Sequence, residues 1–148
     1  MKIFNSITLF REIMGAHRKW QRAQEAILSP ERRPDITFSI GDSLTWRVVD
    51  HNNHESCLIG SRRYQRVIYC EKGLIKLEYA KQLSLEPTNE YSDLSDTQEY
   101  AGPTTTITLS DGMIAIVGID EAARIVPGSN FKGITLRVTV EGHTFHNK

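Results

Sequence analysis

The chain has 148 residues, 24% of them charged, and its eighteen basic and eighteen acidic side chains cancel. That length suits one domain that buries its own core without staples. Zero net charge gives no general field toward nucleic acid or an anionic membrane. Two cysteines, Cys57 and Cys70, make no disulfide framework and read as small buried residues.

Residues 1–10 are not expected to be a signal peptide, because Arg11 and Glu12 interrupt them before an apolar core develops. No run of about 18 apolar residues occurs, so no membrane-spanning helix is predicted and a cytoplasmic location is the default expectation. Ser6 is placed to cap a helix starting at Ile7 or Thr8, with Leu9, Phe10, Ile13 and Met14 at helical spacing. Gly15 breaks that run. A second run puts Trp20, Ala23 and Ile27 on one stripe with Leu28 beside it, and turns Arg18, Lys19, Gln21, Arg22 and Gln24 to water. Ser29-Pro30 ends it, since proline disfavours helix in the residue before it. Residues 7–28 are expected to cover one face of a sheet. His17 lies among basic residues and reads as solvated.

Beyond Pro34 the period drops to two. Ile36, Phe38 and Ile40 form one strand, Gly41-Asp42 turns the chain, and Leu44, Trp46 and Val48 form the next. Residues 50–55 read as a polar turn. His51, His54 and Glu55 within it have the chemistry of metal ligands but a loose spacing, and a solvated turn is the simpler reading. The run from Gly60 to Cys70 reads as a central strand, with Tyr64, Arg66, Ile68 and Cys70 on one face and Arg63, Gln65, Val67 and Tyr69 on the other. Leu74–Tyr79 reads as its hairpin partner. Residues 81–103 read as a solvated loop, where Asp93, Asp96 and Glu99 lie close in sequence; a catalytic carboxylate pair needs a cleft that a loop sequence does not show.

Strands follow at Thr104–Leu109, Met113–Ile119, Ala123–Val126 and Lys132–Val140, punctuated by Ser110-Asp111-Gly112, Asp120-Glu121 and Pro127–Asn130. Turn signals about every ten residues argue an all-β double-sheet sandwich or barrel over 35–141, behind an N-terminal helical segment. No catalytic serine motif, phosphate-binding loop or dinucleotide motif is present. The residues alone give a fold and stop short of a function.

One spacing goes further. Gly60, five residues, then Arg66-Val67-Ile68 matches the frame in which cupin-like barrels carry His-x-His, the period of two aiming both imidazoles at one metal. Here the frame holds Arg66 and Ile68.

Several runs together carry a resemblance: Lys19-Trp20-Gln21-Arg22, Ser39 to Thr45, Arg62-Arg63-Tyr64, Glu78-Tyr79-Ala80, Asp111-Gly112, Val138 to Glu141 and Phe145 to Lys148. On them the chain resembles the YhcH/YjgK/YiaL family nearly end to end, and within it the small accessory subunits that accompany a large β-galactosidase chain. The resemblance implies a cupin-like jelly roll with an open funnel, and wider-family roles in sugar chemistry, including anomer interconversion or isomerisation of sugar acids, with a metal in the funnel. It also implies a large glycosidase subunit as partner, with the glycosidase carboxylates on that chain; a homodimer is compatible with it, and nucleic acid or membrane partners are not expected. The family's metal ligands fall where Ser61, Arg66, Ile68 and Asp120 stand here. Only Asp120 is an ordinary charged ligand among them, so no metal cofactor is expected. Tyr64, Arg66, Glu78, Asp120, Lys132 and Arg137 are the candidate pocket residues. Arg66, Lys132 and Arg137 would give a positive funnel suited to a hydroxyl-rich or acidic ligand, unless Arg66 is neutralised by Asp120 or Glu78.

Overall fold

Period-two alternation runs through most of the chain after Pro34, and the structure resolves it into two sheets stacked face to face. The computed structural model describes residues 1–30, 32–33, 36–40, 44–128 and 130–140. The strands are β1 (Lys2–Phe4), β2 (Thr37–Ile40), β3 (Leu44–Asp50), β4 (Leu58–Gly60), β5 (Tyr64–Gly73), β6 (Ile75–Lys81), β7 (Glu86–Pro87), β8 (Gln98–Ala101), β9 (Thr105–Leu109), β10 (Ile114–Val117), β11 (Glu121–Ile125) and β12 (Phe131–Thr139). The helices are α1 (Ile7–Met14) and α2 (Arg18–Leu28).

One sheet has the order β1-β10-β5-β12-β3-β2 and the other β7-β8-β4-β11-β6-β9. All pairings are antiparallel. Strands β3 to β6 and β9 to β12 supply four to each sheet. Within each of these runs the chain switches sheet at every step, which is the jelly-roll arrangement. The double-sheet, cupin-like sandwich expected from the sequence is therefore present.

Alternation along β12 shows how the layers form. Ile134, Leu136 and Val138 point out to the helices, with Val67, Trp46, Phe10, Trp20 and Ile27. Ile68, Cys70, Val49, Leu77 and Ile125 point in, between the sheets. The helices cover the outer face of the first sheet, as predicted. Ser6 caps α1 by accepting from the Leu9 backbone N–H at 3.1 Å. Phe10 is fully buried, with its ring edge-on to Phe4 and Trp20. A third, smaller cluster of Leu58, Leu85, Tyr100 and Ala122 lies elsewhere in the second sheet.

Several expectations change. The Gly60–Cys70 run is two strands: β4 ends at Gly60 in one sheet, and Ser61–Arg63 carries the chain across to β5 in the other. Gly60 is needed for close approach, since a Cβ there would meet Gln82 Nε2 at 2.5 Å and the Tyr100 ring at 2.9 Å. β6 is not the hairpin partner of β5; β5 pairs with β10 and β12, and β6 with β9 and β11. Ser110–Gly112 likewise joins strands of different sheets. Gln24 is buried and accepts from Arg11 Nε at 2.9 Å rather than facing water. Glu121 belongs to β11, and its buried carboxylate pairs with the Met1 ammonium at 2.5 Å. Residues 81–103 are not wholly loop, since they hold β7 and β8. The Gly41-Asp42 turn and the Phe145–Lys148 tail lie outside the described residues.

Candidate funnel site

Between the sheets, toward one end, lies a cavity of about 460 Å³. This is within the range of small-molecule sites, about 300–1,000 Å³. Its floor is the inner face of β3, β5 and β12. The register puts Arg137 directly opposite Arg66 on one side and Thr45 on the other, and Thr135 opposite Ile68 and Arg47. Three arginines, Arg47, Arg66 and Arg137, thus line one cavity.

Each is held differently. Arg66 donates from Nη1 to Glu55 Oε1 at 2.9 Å, with both side chains about four-fifths buried. Glu55 Oε1 also accepts from the Ile125 backbone N–H at 2.9 Å, which fixes the carboxylate against β11. Arg137 lies over the Tyr64 ring at 4.6 Å, donates from Nη2 to the Ser95 carbonyl at 2.8 Å, and stands 3.8 Å from Asp96. Arg47 is exposed in the cavity wall and has no hydrogen bond or ion pair among the described residues.

Asp96 organises the mouth. It is 1% exposed, in the left-handed region at φ 52, and accepts from the Arg62 and Arg63 backbone N–H groups at 2.9 and 3.0 Å. The Tyr91 hydroxyl donates to the same carboxylate, and the Arg62 guanidinium lies over the Tyr91 ring at 3.8 Å. Burial first, and the hydrogen bond to Asp96 second, push the Tyr91 hydroxyl up to about 12. This carboxylate pins the 91–97 turn onto the crossing between β4 and β5.

Of the residues singled out from sequence, Ser61, Tyr64, Arg66 and Arg137 line the cavity. The others do not. Ile68 is buried in the core between the sheets. Glu78 lies on the outer face of the second sheet and accepts from Arg124 Nε at 2.7 Å. Asp120 is on the surface, where Lys81 Nζ donates to it at 2.6 Å and holds its carboxyl below the usual range. Lys132 is exposed at the start of β12, opposite Asp50 and Lys72. Arg66 is thus neutralised by Glu55, and by neither Asp120 nor Glu78.

The four family metal positions do not fit a metal. A guanidinium offers no lone pair, Ile68 has no donor atom, and Asp120 is engaged with Lys81 away from the cavity. No group of three or more His, Cys, Asp or Glu is gathered among the described residues. His54 reaches the cavity wall, while His51 is exposed in the same turn. Cys70 is buried, which pushes its thiol up to about 11, and burial also raises Cys57, so both stay protonated at neutral pH.

Sequence reasoning missed Arg47 as a site residue, and it set aside Glu55 and Asp96 by reading them into a solvated turn and a solvated loop. Arg47 had a signal, because the alternation of Thr45, Arg47 and Val49 against Leu44, Trp46 and Val48 puts it on the inner face. Glu55 and Asp96 had none beyond their charge.

No helix of the described residues is long and apolar enough to cross a membrane. No protein-family model matches the chain. Among solved structures, a hydroquinone 1,2-dioxygenase, PnpCD in complex with Cd2+ and 4-hydroxybenzonitrile, is similar at 13% identity over 84% of this chain and 72% of its own, with a TM-score of 0.47. The hydroquinone 1,2-dioxygenase of Sphingomonas sp. TTNP3, with 4-hydroxybenzoate bound, is similar at 14% identity over 81% of this chain and 72% of its own, with a TM-score of 0.48. Protein NMB1881 of Neisseria meningitidis is similar at 9% identity over 78% of this chain and 95% of its own, with a TM-score of 0.42. These are loose likenesses of fold, and the jelly roll stands on the strand order itself.

Proposed function

We propose that this protein binds a small hydroxyl-rich ligand in the funnel without a metal and acts as a non-catalytic accessory chain in sugar metabolism. The observation that carries the binding reading is the Arg66–Glu55 pair in the cavity, at a place where the cupin frame would put a metal ligand. It offers fixed charged donors and acceptors beside the Tyr64 ring, a combination suited to hydroxyl groups. The accessory role rests on the family resemblance. The partner proposed is a large glycosidase chain.

Calorimetric titration of the full chain with a panel of neutral sugars tests the binding reading, and saturable binding that Arg66→Gln abolishes supports it. Co-expression with a β-galactosidase large chain tests the accessory role. A stoichiometric complex is expected, and two separately eluting proteins would end that part of the proposal.

A second reading is a sugar anomerase. Such chemistry needs a group that exchanges protons near neutral pH, and His54 in the cavity wall is favoured for that by its place. Accelerated mutarotation, seen by NMR and lost in His54→Gln, is the outcome this reading requires.

A further inference from the structure

One part of the funnel wall is attached to the rest of the protein without a hydrophobic contact. Thr97 belongs to that wall. It closes a small hairpin, residues 91–97, between β7 and β8. Inside it the Ser92 N–H donates to the Thr97 carbonyl at 2.8 Å, and the Thr97 N–H donates back at 3.3 Å. Only Asp96 is buried within the hairpin, and Leu94, its one aliphatic residue, is fully exposed. None of its residues belongs to a hydrophobic cluster of the core.

Three arginines hold it instead. The Arg62 guanidinium lies over the Tyr91 ring, Arg63 donates from Nη2 to the Asp93 carbonyl at 2.5 Å, and Arg137 donates from Nη2 to the Ser95 carbonyl at 2.8 Å. Asp96 adds the backbone N–H groups of Arg62 and Arg63. A segment held this way opens at a lower free energy than the sheets, because no apolar burial has to be undone. Asp96 sits at φ 52, a conformation that costs a non-glycine residue energy, and opening releases that strain. The bonds between Ser92 and Thr97 lie inside the hairpin and survive its displacement. Of the three arginines, only Arg137 also lines the cavity.

We infer that residues 91–97 form a strap that swings off the funnel mouth as a unit, with Asp96 as its pin and Arg137 as its latch. With the strap seated, Arg137 is engaged with Ser95. With the strap displaced, the same guanidinium turns to whatever occupies the cavity, so entry and recognition are coupled through one side chain. The purpose of the motion rests on the funnel being a small-ligand site. The motion itself is read with no ligand present, so its failure and the failure of that reading are distinguishable.

The test is native-state hydrogen exchange on the full chain in low urea. The Arg62 and Arg63 amides donate to Asp96 and are protected by the seated strap. They are expected to exchange in step, about tenfold or more faster than the amides of β12, at a rate that urea hardly changes, which marks a local opening. Arg137→Gln is expected to raise that rate about tenfold, the scale of one charge-assisted hydrogen bond. Access is read separately, by maleimide labelling of Thr135→Cys in the cavity wall, in a Cys57→Ala background whose other thiol, Cys70, is buried. Arg62→Ala and Tyr91→Phe loosen the strap from outside the cavity, and each is expected to speed labelling about fivefold, still with little effect of urea. Exchange of the Arg62 and Arg63 amides only together with β12, at the same urea dependence, shows that the hairpin opens with the whole fold and overturns the inference. That measurement uses the unaltered chain, so it stands whether or not the cysteine variant folds. An exchange rate unchanged by Arg137→Gln overturns the latch, and labelling unchanged by both outer variants overturns the gating of the mouth.

Discussion

Arg66 and Arg137 stand directly opposite each other on β5 and β12, two guanidinium side chains on one face of one sheet. Cβ atoms in that relation are about 5 Å apart, and like charges there repel. Glu55 is set against the first and Asp96 against the second, so these two carboxylates hold the funnel floor together.

Removing the first should therefore be felt in stability. Glu55→Gln is expected to cost about 1–2 kcal/mol, because Arg66 loses its ionic partner while the Ile125 backbone N–H keeps a weaker acceptor. Adding Arg66→Gln should recover part of that loss, so the double variant is less destabilised than the sum of the singles. Urea midpoints of the four proteins give the coupling; strict additivity would show that the pair does not act as a pair.

Asp96 carries more. Asp96→Ala leaves two backbone N–H groups and the Tyr91 hydroxyl without their acceptor, and is expected to cost about 3 kcal/mol or more. Asp96→Asn should cost less, because asparagine keeps an acceptor oxygen and tolerates a positive φ. Chemical denaturation ranks the two, and equal losses would contradict the hydrogen-bonding role.

Tyr91 gives a pH signature. Its hydroxyl titrates near 12 in the folded protein and near the ordinary 10 when unfolded. Between those values the folded state binds the extra proton, so stability falls as pH rises. The contribution is intact below about pH 10 and is lost by about pH 12. Ultraviolet titration should show Tyr91 ionising late, beside Tyr69, which burial also raises; Tyr91→Phe should shrink the late step and flatten the alkaline loss.

The helical cover depends on Phe10. Truncation to alanine removes a fully buried ring from between Phe4 and Trp20 and is expected to cost about 3–5 kcal/mol. Ile13→Ala, on the exposed side of the same helix, should cost well under 1 kcal/mol. Thermal melts of both variants check the contrast.

Much of this was legible in the residues. Ser6, the Trp20–Ala23–Ile27 stripe and the alternation of β12 each fixed an element and its buried face by local rules. The faces of β5 were also legible, because Ile68 and Val67 obey the same period. The sheet to which each strand belongs was not. Ser61–Arg63 continues the strand pattern in composition, yet carries the chain from one sheet to the other, and nothing local marks a crossing that only stacking of the layers decides. Partners of charged groups were illegible for a related reason. Glu55 meets an arginine 11 residues on, and Asp96 meets backbone 34 residues back. Glu78, Asp120 and Lys132 carry the right chemistry, but their strands and turns present it elsewhere.

β12 is the last strand among the described residues and sits at the middle of the first sheet, between β5 and β3. A chain whose earlier strands have already paired therefore lacks the floor of the funnel until β12 inserts. Pairing of such distant segments is slow. Until β12 inserts, β3 and β5 each present an open edge, the kind of surface that draws other chains. Ligand recognition thus becomes a readout of strand insertion: only a molecule with β12 in place has anywhere for the ligand to go.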